Sequence, residues 1–198
     1  MREPAPAQQR PAGQRISTRI WSDVGPVGSA ISALSGRVTK TEPPKLFLAL
    51  GRRASLLVGW LAFASRLMPR GGLPRRDTEI VILRVAGLTG CDYERTHHEK
   101  IGRRAGLTRD EIAAVVSGSA EGGSWSARER AILAAVDELD VDHDLRDATY
   151  DELARHLNDT EIVELLMLVG HYQMLAQLIT TLRITPDEGR KATPSVEG

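Results

Sequence analysis

The sequence predicts an all-α fold, and three observations indicate this class. Apolar residues recur at three- and four-residue steps from Lys45 onward, which is the period of an amphipathic helix. Capping residues, prolines and glycines separate the periodic segments. No segment shows the alternation of apolar and polar residues, bounded by turns, that is typical of a half-buried strand.

The predicted helices have recognisable start and stop signals. Pro74 is at a position typical of a first helical turn, and Gly90 and Gly106 are typical of positions just past a helix end. Thr108 and Ser126 each precede a glutamate by three residues, which is the spacing of a capping box. In chain order, we expect helices over 45–67, 74–90, 93–104, a short segment after 108, 127–139, 148–156 and 159–182. The expected caps of the third, sixth and last of these are Asp92, Asp147 and either Asn158 or Asp159.

Composition divides the chain into three parts. Residues 1–41 are rich in Pro, Ala, Gln and Arg at their start and show no sustained period, so we expect a disordered or loosely ordered extension. Residues 42–185 carry the helical pattern and are long enough for one domain with a sizeable core, or two small ones. Residues 186–198 are expected to form a flexible polar tail.

Charge and cysteine content exclude several functional classes. The 26 basic residues equal the 26 acidic ones, so no overall charge favours a nucleic acid or an anionic membrane as partner. Cys91 is the single cysteine, which excludes an internal disulfide and suits a reducing cytoplasm. The longest apolar run, 54–64, is too short for a bilayer, which needs about 20 residues. There is no secretory signal pattern at the start, so we expect a cytoplasmic protein.

The candidate site lies between residues 79 and 98. Glu94 and His98 are four residues apart, so they share a helix face, and the carboxylate can orient the imidazole as an acid–base residue requires. Cys91 lies near the start of the same helix, where a thiolate is favoured by the helix dipole. Glu79 on the preceding helix could fold back onto this cluster. The ordinary alternatives are a solvated Glu–His contact and a cysteine that acts as a small buried hydrophobe.

Three further residues are expected to contact a substrate, and no cofactor is expected. Tyr93 and His97 flank the cluster, and Arg84 could neutralise an anionic group. Adjacent histidines point about 100° apart on a helix, so His97 and His98 cannot both join Glu94, and we expect no metal site. The chain contains no glycine-rich dinucleotide motif and no phosphate-binding loop. We therefore expect a small-molecule substrate.

The last predicted helix is apolar on more than one face. This pattern indicates either a central helix or a subunit interface, so we expect the protein to form homo-oligomers.

Three segments together resemble the carboxymuconolactone decarboxylase family, which includes the alkylhydroperoxidase AhpD. They are LPxRxxEIVILRVAxLxxCxYExxxHxxxxxxAGLTxxEI over 73–112, WSxRERAIL over 125–133 and VELLMLVGHYQMLAQLITTL over 163–182. The resemblance covers about residues 42–185. It implies an AhpD-like helical fold whose subunits assemble as trimers or hexamers, with the site at or near subunit contacts.

The resemblance implies two different chemistries. In the AhpD-like branch, Glu79, Cys91 and His98 match the glutamate, first cysteine and histidine, but Glu94 replaces the second cysteine. A thiol-dependent antioxidant activity would therefore need an external resolving thiol. The decarboxylase branch has a carboxylate four residues before the histidine, as Glu94 and His98 do. We expect a cofactor-independent lyase acting on a small oxygenated acid or lactone, with His98 as acid–base, Glu94 as its orienting group and Glu79 as a second carboxylate. A non-catalytic oligomeric binding module is the third alternative.

Overall fold

The computed structural model describes residues 13–16, 29, 31, 44–68, 70–118 and 124–187. Eight α-helices have defined bounds within these ranges, and no residue described there is in a strand, which confirms the all-α class. The helices are α1 (Lys45–Gly51), α2 (Ala54–Leu67), α3 (Arg75–Thr89), α4 (Asp92–Arg104), α5 (Arg109–Ser117), α6 (Ala127–Asp142), α7 (Asp147–Ala154) and α8 (Asp159–Leu182). The predicted extension over 1–41 and the tail over 186–198 lie almost entirely outside the described residues, so these remain predictions.

The chain divides into two compact units. One comprises residues 1–61 and 182–198, and the other comprises residues 62–181. In the first unit, the backbone N–H of Lys45 donates to Asp187 Oδ1 at 2.9 Å, and the Lys45 Nζ donates to Thr185 Oγ1 at 2.7 Å. The rings of Phe47 and Trp60 meet edge to face with centroids 5.3 Å apart. The hydrogen bonds of Lys45 tie α1 to residues that follow α8 in the sequence, and the ring contact ties α1 to α2.

Helix α3 is the central element of the second unit. Ten consecutive residues, Asp77 to Ala86, are buried, and the helix packs against α4, α5 and α6. Its buried charges have partners from neighbouring elements, because an unpaired buried charge is strongly unfavourable. Arg128 Nε lies 2.8 Å from Asp77 Oδ2, and Arg84 Nε lies 2.5 Å from Asp137 Oδ1.

Arg76 links the start of α3 to the starts of two other helices. Both predicted capping boxes are present, with Thr108 and Glu111 at α5 and Ser126 and Glu129 at α6. The Arg76 guanidinium contacts both glutamates, at 2.5 Å from Glu111 Oε1 and 2.7 Å from Glu129 Oε1. Hydrogen bonding to Arg76 lowers the pKa of Glu111, so this cluster is charged at neutral pH. The three helix starts are therefore fixed relative to one another.

Two of the predicted helix starts need correction, and a third, which was left between two residues, is resolved. Asp92 is the first residue of α4 rather than its cap, and its carboxylate instead accepts a hydrogen bond from Arg95 at 2.8 Å. Asp147 is likewise the first residue of α7. At α8 the alternative is resolved, because Asn158 Oδ1 accepts from the Glu161 N–H at 3.1 Å. Short acidic side chains are favourable both as caps and within the first turn, so their type alone does not fix the boundary.

Two predicted helix bounds also differ from the structure. The helical pattern over 45–67 is interrupted at 52–53, so it forms α1 and α2 instead of one helix. Helix α6 continues three residues beyond its predicted end at Leu139 and stops at His143, which has a positive φ of 58°. Neither position carries a proline or glycine, the residues from which a helix end is most readily predicted.

Helix α8 combines a buried face with an exposed apolar stripe. The stripe consists of Val163, Leu166, Met167 and Met174, which are all solvent-exposed. Among the described residues, α8 is the one helix long and apolar enough to cross a membrane. Half of its most apolar stretch is buried within the protein, and the core helix of a soluble protein has the same length and composition, so this is weak evidence for a membrane span.

Candidate active site

The core of the candidate site is a buried carboxylate–imidazole pair between α3 and α4. His98 Nδ1 lies 2.8 Å from Glu79 Oε2, and Glu79 has no solvent exposure. The close approach of the two helices depends in part on Gly102, one turn after His98, where an added Cβ would lie 3.2 Å from Leu83 Cδ1 and 3.8 Å from Glu79 Cβ. With Nδ1 donating to the carboxylate, Nε2 is the nitrogen left to face a substrate.

Glu94 is close to His98 but does not make the hydrogen bond expected of it. Its Oε2 lies 3.6 Å from His98 Nε2, which is an ion-pair distance and too long for a hydrogen bond. The four-residue spacing places both side chains on one face of α4, as predicted. Glu79, which reaches the imidazole from α3, binds the opposite ring nitrogen more closely. The orienting contact is thus made by Glu79, and Glu94 supplies a second carboxylate beside Nε2.

Arg75 supplies the positive charge nearest to Glu79. It lies one turn earlier on α3, with its Nη2 2.6 Å from Glu79 Oε1. This ion pair offsets part of the cost of removing the carboxylate from water. The four-residue spacing between Arg75 and Glu79 was a signal in the sequence that could have identified the pair.

Tyr172 on α8 is a site residue that the sequence analysis did not assign to this cluster. Its hydroxyl oxygen lies 3.1 Å from His98 Nε2 and 2.7 Å from Met68 Sδ, and its ring meets that of His98 edge to face. Burial raises the pKa of the Tyr172 hydroxyl well above its ordinary value, and the charges of Glu94 and Glu79 raise it further. The hydroxyl therefore keeps its proton at neutral pH.

His171 lies behind Tyr172. Its ring meets those of Tyr172 and Phe63 edge to face, with centroids 5.3 Å and 5.2 Å apart. Burial lowers the pKa of His171 to about 4, so its imidazole is neutral at pH 7. On the His171 side, the Tyr172 ring is thus in contact with an uncharged imidazole.

Cys91 precedes α4 and is buried as a thiol. Only 2% of the residue is exposed. Burial raises the pKa of its thiol, an effect larger than that of the Glu94 N–H, which lowers it. The expectation that the helix start favours a thiolate here was wrong, because removal from water has the larger effect.

The structure separates Arg84 from the other predicted residues. Its guanidinium donates to Asp137 Oδ1 and to the Val115 carbonyl oxygen, at 2.5 Å and 3.2 Å, so its hydrogen bonds go to α6 and α5. Tyr93 is buried on α4, and its ring lies 4.7 Å from that of His97, which is partly exposed. Glu79, Glu94 and His98 are brought together, whereas Arg84 is not. Within the described ranges, no group of His, Cys, Asp or Glu side chains is arranged to hold a metal ion.

Comparisons with known proteins give one family and one fold. The model of the carboxymuconolactone decarboxylase family matches residues 55–138. An uncharacterised protein encoded in the cox locus of Paracoccus denitrificans is 31% identical over 103 residues, which span 49% of this chain and 93% of that protein.

Solved structures share the fold at low sequence identity. An uncharacterised peroxidase-related protein from Silicibacter sp. TM1040 superposes with a TM-score of 0.79 at 15% identity, over 91% of this chain and 95% of that one. A peroxidase-related AhpD-core protein from Ralstonia eutropha JMP134 gives 0.73 at 17% identity, over 86% and 96%. The debrominase Bmp8 gives 0.62 at 18% identity, over 75% and 80%. At these identities the likeness establishes the helical fold alone.

Proposed function

Because the chain belongs to the carboxymuconolactone decarboxylase family, we propose that it is a cofactor-independent lyase acting on a small oxygenated acid or lactone. The observation that carries the proposal is the buried hydrogen bond of 2.8 Å between Glu79 Oε2 and His98 Nδ1. A carboxylate on one ring nitrogen orients the imidazole and leaves the other nitrogen to transfer a proton. A buried pair of this kind has a functional rationale that an exposed Glu–His contact lacks.

The reaction we propose is decarboxylation of an acid with a carbonyl group β to its carboxylate. The bond between the carboxyl carbon and the α-carbon breaks, carbon dioxide leaves, and the electron pair moves to the carbonyl oxygen as an enolate. His98 then gives its Nε2 proton to the α-carbon and the carbonyl re-forms. His98 regains a proton from solvent, so the balance is substrate carboxylate plus one proton to product and carbon dioxide.

The test is a substrate screen with matched histidine variants. Small β-keto acids and lactones are assayed for carbon dioxide release and for deuterium incorporation at the α-carbon in heavy water. We expect His98→Asn to lower kcat by about 10²- to 10⁴-fold, the usual range for loss of a positioned proton donor. The control is His156→Asn. His156 also lies four residues after a glutamate, and its Nε2 is 3.3 Å from Glu152 Oε1, but this pair is partly exposed to solvent. Full activity in His98→Asn would contradict the proposal.

A thiol-dependent antioxidant activity is the competing function. Its support is the position of Cys91 directly before α4, which carries Glu94 and His98. The raised pKa of this thiol argues against it, because the thiolate is the nucleophile. Peroxide treatment of the reduced protein with a sulfenic-acid trap distinguishes the two. We expect little labelling of Cys91, whereas fast and stoichiometric labelling would favour the thiol mechanism.

We also propose a cytoplasmic location for this enzyme. A single buried thiol is compatible with a reducing compartment, where structural disulfides are rare. Localisation of a tagged full-length chain by cell fractionation tests this proposal, and recovery in the membrane fraction would contradict it.

A further inference from the structure

The hydroxyl of Tyr172 has two polar neighbours and one hydrogen to donate. When His98 Nε2 carries a proton and donates it to the phenol oxygen at 3.1 Å, the hydroxyl hydrogen is directed to Met68 Sδ at 2.7 Å. A thioether is a weak acceptor, whereas a carbonyl oxygen is a strong one. The proton-donating state of His98 therefore coincides with a buried hydroxyl that has a poor acceptor, which is unfavourable in an apolar environment.

Met68 is the member of this cluster that can be displaced. It follows the last residue of α2, is half-buried, and reaches the buried Tyr172 hydroxyl. Its side chain is unbranched and flexible, so it can change rotamer at low cost. Because Met68 is partly exposed and contacts the Tyr172 hydroxyl, we expect its movement to expose this hydroxyl.

The segment before α3 can stay in place while Met68 moves. Glu164 on α8 accepts hydrogen bonds from the Gly72 N–H at 2.7 Å and from the Leu73 N–H at 3.3 Å. A Cβ at Gly71 would lie 2.1 Å from Glu164 Oε1 and 2.7 Å from the backbone carbonyl oxygen of Leu67, so a side chain here would disturb both the carboxylate and the backbone. Access to the site thus needs a side-chain rearrangement and leaves this anchor unbroken.

We propose that Met68 occupies the position of the substrate's carbonyl oxygen, and that Tyr172 donates its hydrogen bond to this oxygen once the substrate displaces the methionine. Tyr172 is then a substrate-binding residue, supplied by α8 from outside the residues that match the family model. The inference rests on the proposed function for the position of the reacting carbon beside His98.

The surrounding charges select the class of ligand. Glu79 and Glu94 lie on either side of the His98 ring, at 2.8 Å and 3.6 Å from its two nitrogens. Arg75 offsets part of the charge of Glu79, and the remaining negative charge disfavours a carboxylate at the Tyr172 hydroxyl but allows a neutral ketone or lactone carbonyl. In the proposed decarboxylation, negative charge develops on this oxygen, and a hydrogen-bond donor fixed in a site shielded from water stabilises it.

Binding of an unreactive ketone tests the inference. Cyclopentanone and methylenecyclopentane have nearly the same shape, but only the ketone has an oxygen that accepts a hydrogen bond. Dissociation constants are measured by ligand-observed NMR for the wild type, Met68→Ala, Met68→Leu, and Met68→Ala combined with Tyr172→Phe. We expect Met68→Ala to bind cyclopentanone at least tenfold more tightly than the wild type, because the occupying side chain is gone. Met68→Leu, which keeps most of the volume, should resemble the wild type.

The tyrosine substitution supplies the decisive comparison. Adding Tyr172→Phe to Met68→Ala should weaken cyclopentanone about fivefold, the effect of one neutral hydrogen bond, and leave methylenecyclopentane unchanged. Equal effects on the two probes, or no gain in Met68→Ala, would overturn the inference, and circular dichroism establishes that each variant is folded. Since cyclopentanone is not decarboxylated, its Tyr172-dependent binding would stand even if no lyase activity were found. Conversely, turnover that depends on His98 without this binding would refute the present inference alone.

Discussion

Glu79 has no contact with solvent, and each of its two carboxylate oxygens has a partner within the protein. Oε2 accepts from His98 and Oε1 pairs with Arg75, so the residue connects a ring that can transfer a proton with a partly exposed cation. This arrangement makes the tautomer of His98 depend on Glu79. It also explains how a carboxylate is accommodated inside the most buried helix of the unit.

Replacing Glu79 should therefore change the tautomer of His98 before any substrate is known. In the neutral imidazole of the wild type, we expect the hydrogen on Nδ1, and in Glu79→Ala we expect a shift towards the Nε2-protonated form. Long-range ¹H–¹⁵N NMR spectra of the imidazole rings at alkaline pH distinguish these forms. Glu152→Ala is the control, because it should affect His156 and leave His98 as it is. A wild-type His98 with its hydrogen on Nε2 would contradict the orientation described for this site.

The lowered pKa of His171 leads us to expect that the folded protein loses stability in acid. Its pKa is about 4 in the folded protein because of burial, against an ordinary value of about 6.5 in the unfolded chain. Between these values the unfolded chain binds more protons, so the free energy of unfolding falls as the pH drops from 6.5 to 4. The loss should be at most about 3 kcal/mol. Urea unfolding at pH 7 and pH 4.5 measures it.

The matched variants are His171→Phe and His143→Gln. The first should reduce the difference between the two pH values, and the second should not, because His143 is exposed. Glu111 and Glu129 also have lowered pKa values, so part of the acid sensitivity will remain in every variant. If the stability difference between pH 7 and pH 4.5 were the same in His171→Phe as in the wild type, the pKa of His171 would not be lowered by folding.

The site residues differ in how far the sequence could predict them. Glu94 and His98 could be placed together because four-residue spacing fixes their relation on one helix. That Glu79, not Glu94, bonds the ring depends on the distance between α3 and α4, which no local pattern specifies. Tyr172 is separated from His98 by 74 residues, so its contribution follows from how α8 packs. The spacing of residues within one helix does not predict contacts between residues on different helices.

At the scale of the elements, α3 and α5 cross closely at Gly87. A Cβ added at Gly87 would lie 2.3 Å from the carbonyl oxygen of Val116, a separation that requires the two backbones to move apart. The starts of α5 and α6 could be predicted because each helix begins with a capping box. The distance between α3 and α5 could not be predicted, since it depends on the absence of a side chain at this one glycine.

Gly87→Ala should therefore be destabilising although alanine is the better helix former. We expect a loss of about 1–3 kcal/mol in the free energy of unfolding, which is typical when a packed contact is overfilled. Gly59→Ala in α2 is the matched control, because no atom lies within 4 Å of its added Cβ. That change should stabilise by up to about 1 kcal/mol through helix propensity alone. Chemical denaturation of both variants checks the prediction, and equal effects would contradict the close crossing.

At the scale of the whole molecule, the exposed stripe of α8 is the surface through which we expect self-association. Its four apolar residues recur at helical spacing, and Gly170 lies on the same face with open space beside it. Two copies of one apolar stripe can cover each other about a two-fold axis, and a glycine at its centre allows a close approach. The second copy of this chain is thus the partner that we propose.

Light scattering of charged variants tests this assembly. Met167→Glu should reduce the oligomer to a monomer, because a carboxylate would be buried against an apolar surface. Val141→Glu is the control, since Val141 is 75% exposed and belongs to α6, so it is not one of the stripe residues. A monomeric wild type, or an oligomer that survives Met167→Glu, would exclude the α8 stripe as the interface.

Because Cys91 is buried, the rate at which its thiol is modified reports how often the surrounding structure opens. A maleimide or disulfide reagent can modify this sulfur only when the junction of α3 and α4 opens, and the chain has no other thiol to obscure the signal. At saturating reagent, the modification rate equals the opening rate of that junction. A ligand that binds beside His98 should slow this rate in proportion to its occupancy. Candidate substrates can therefore be ranked by the protection they give, without an assay for turnover.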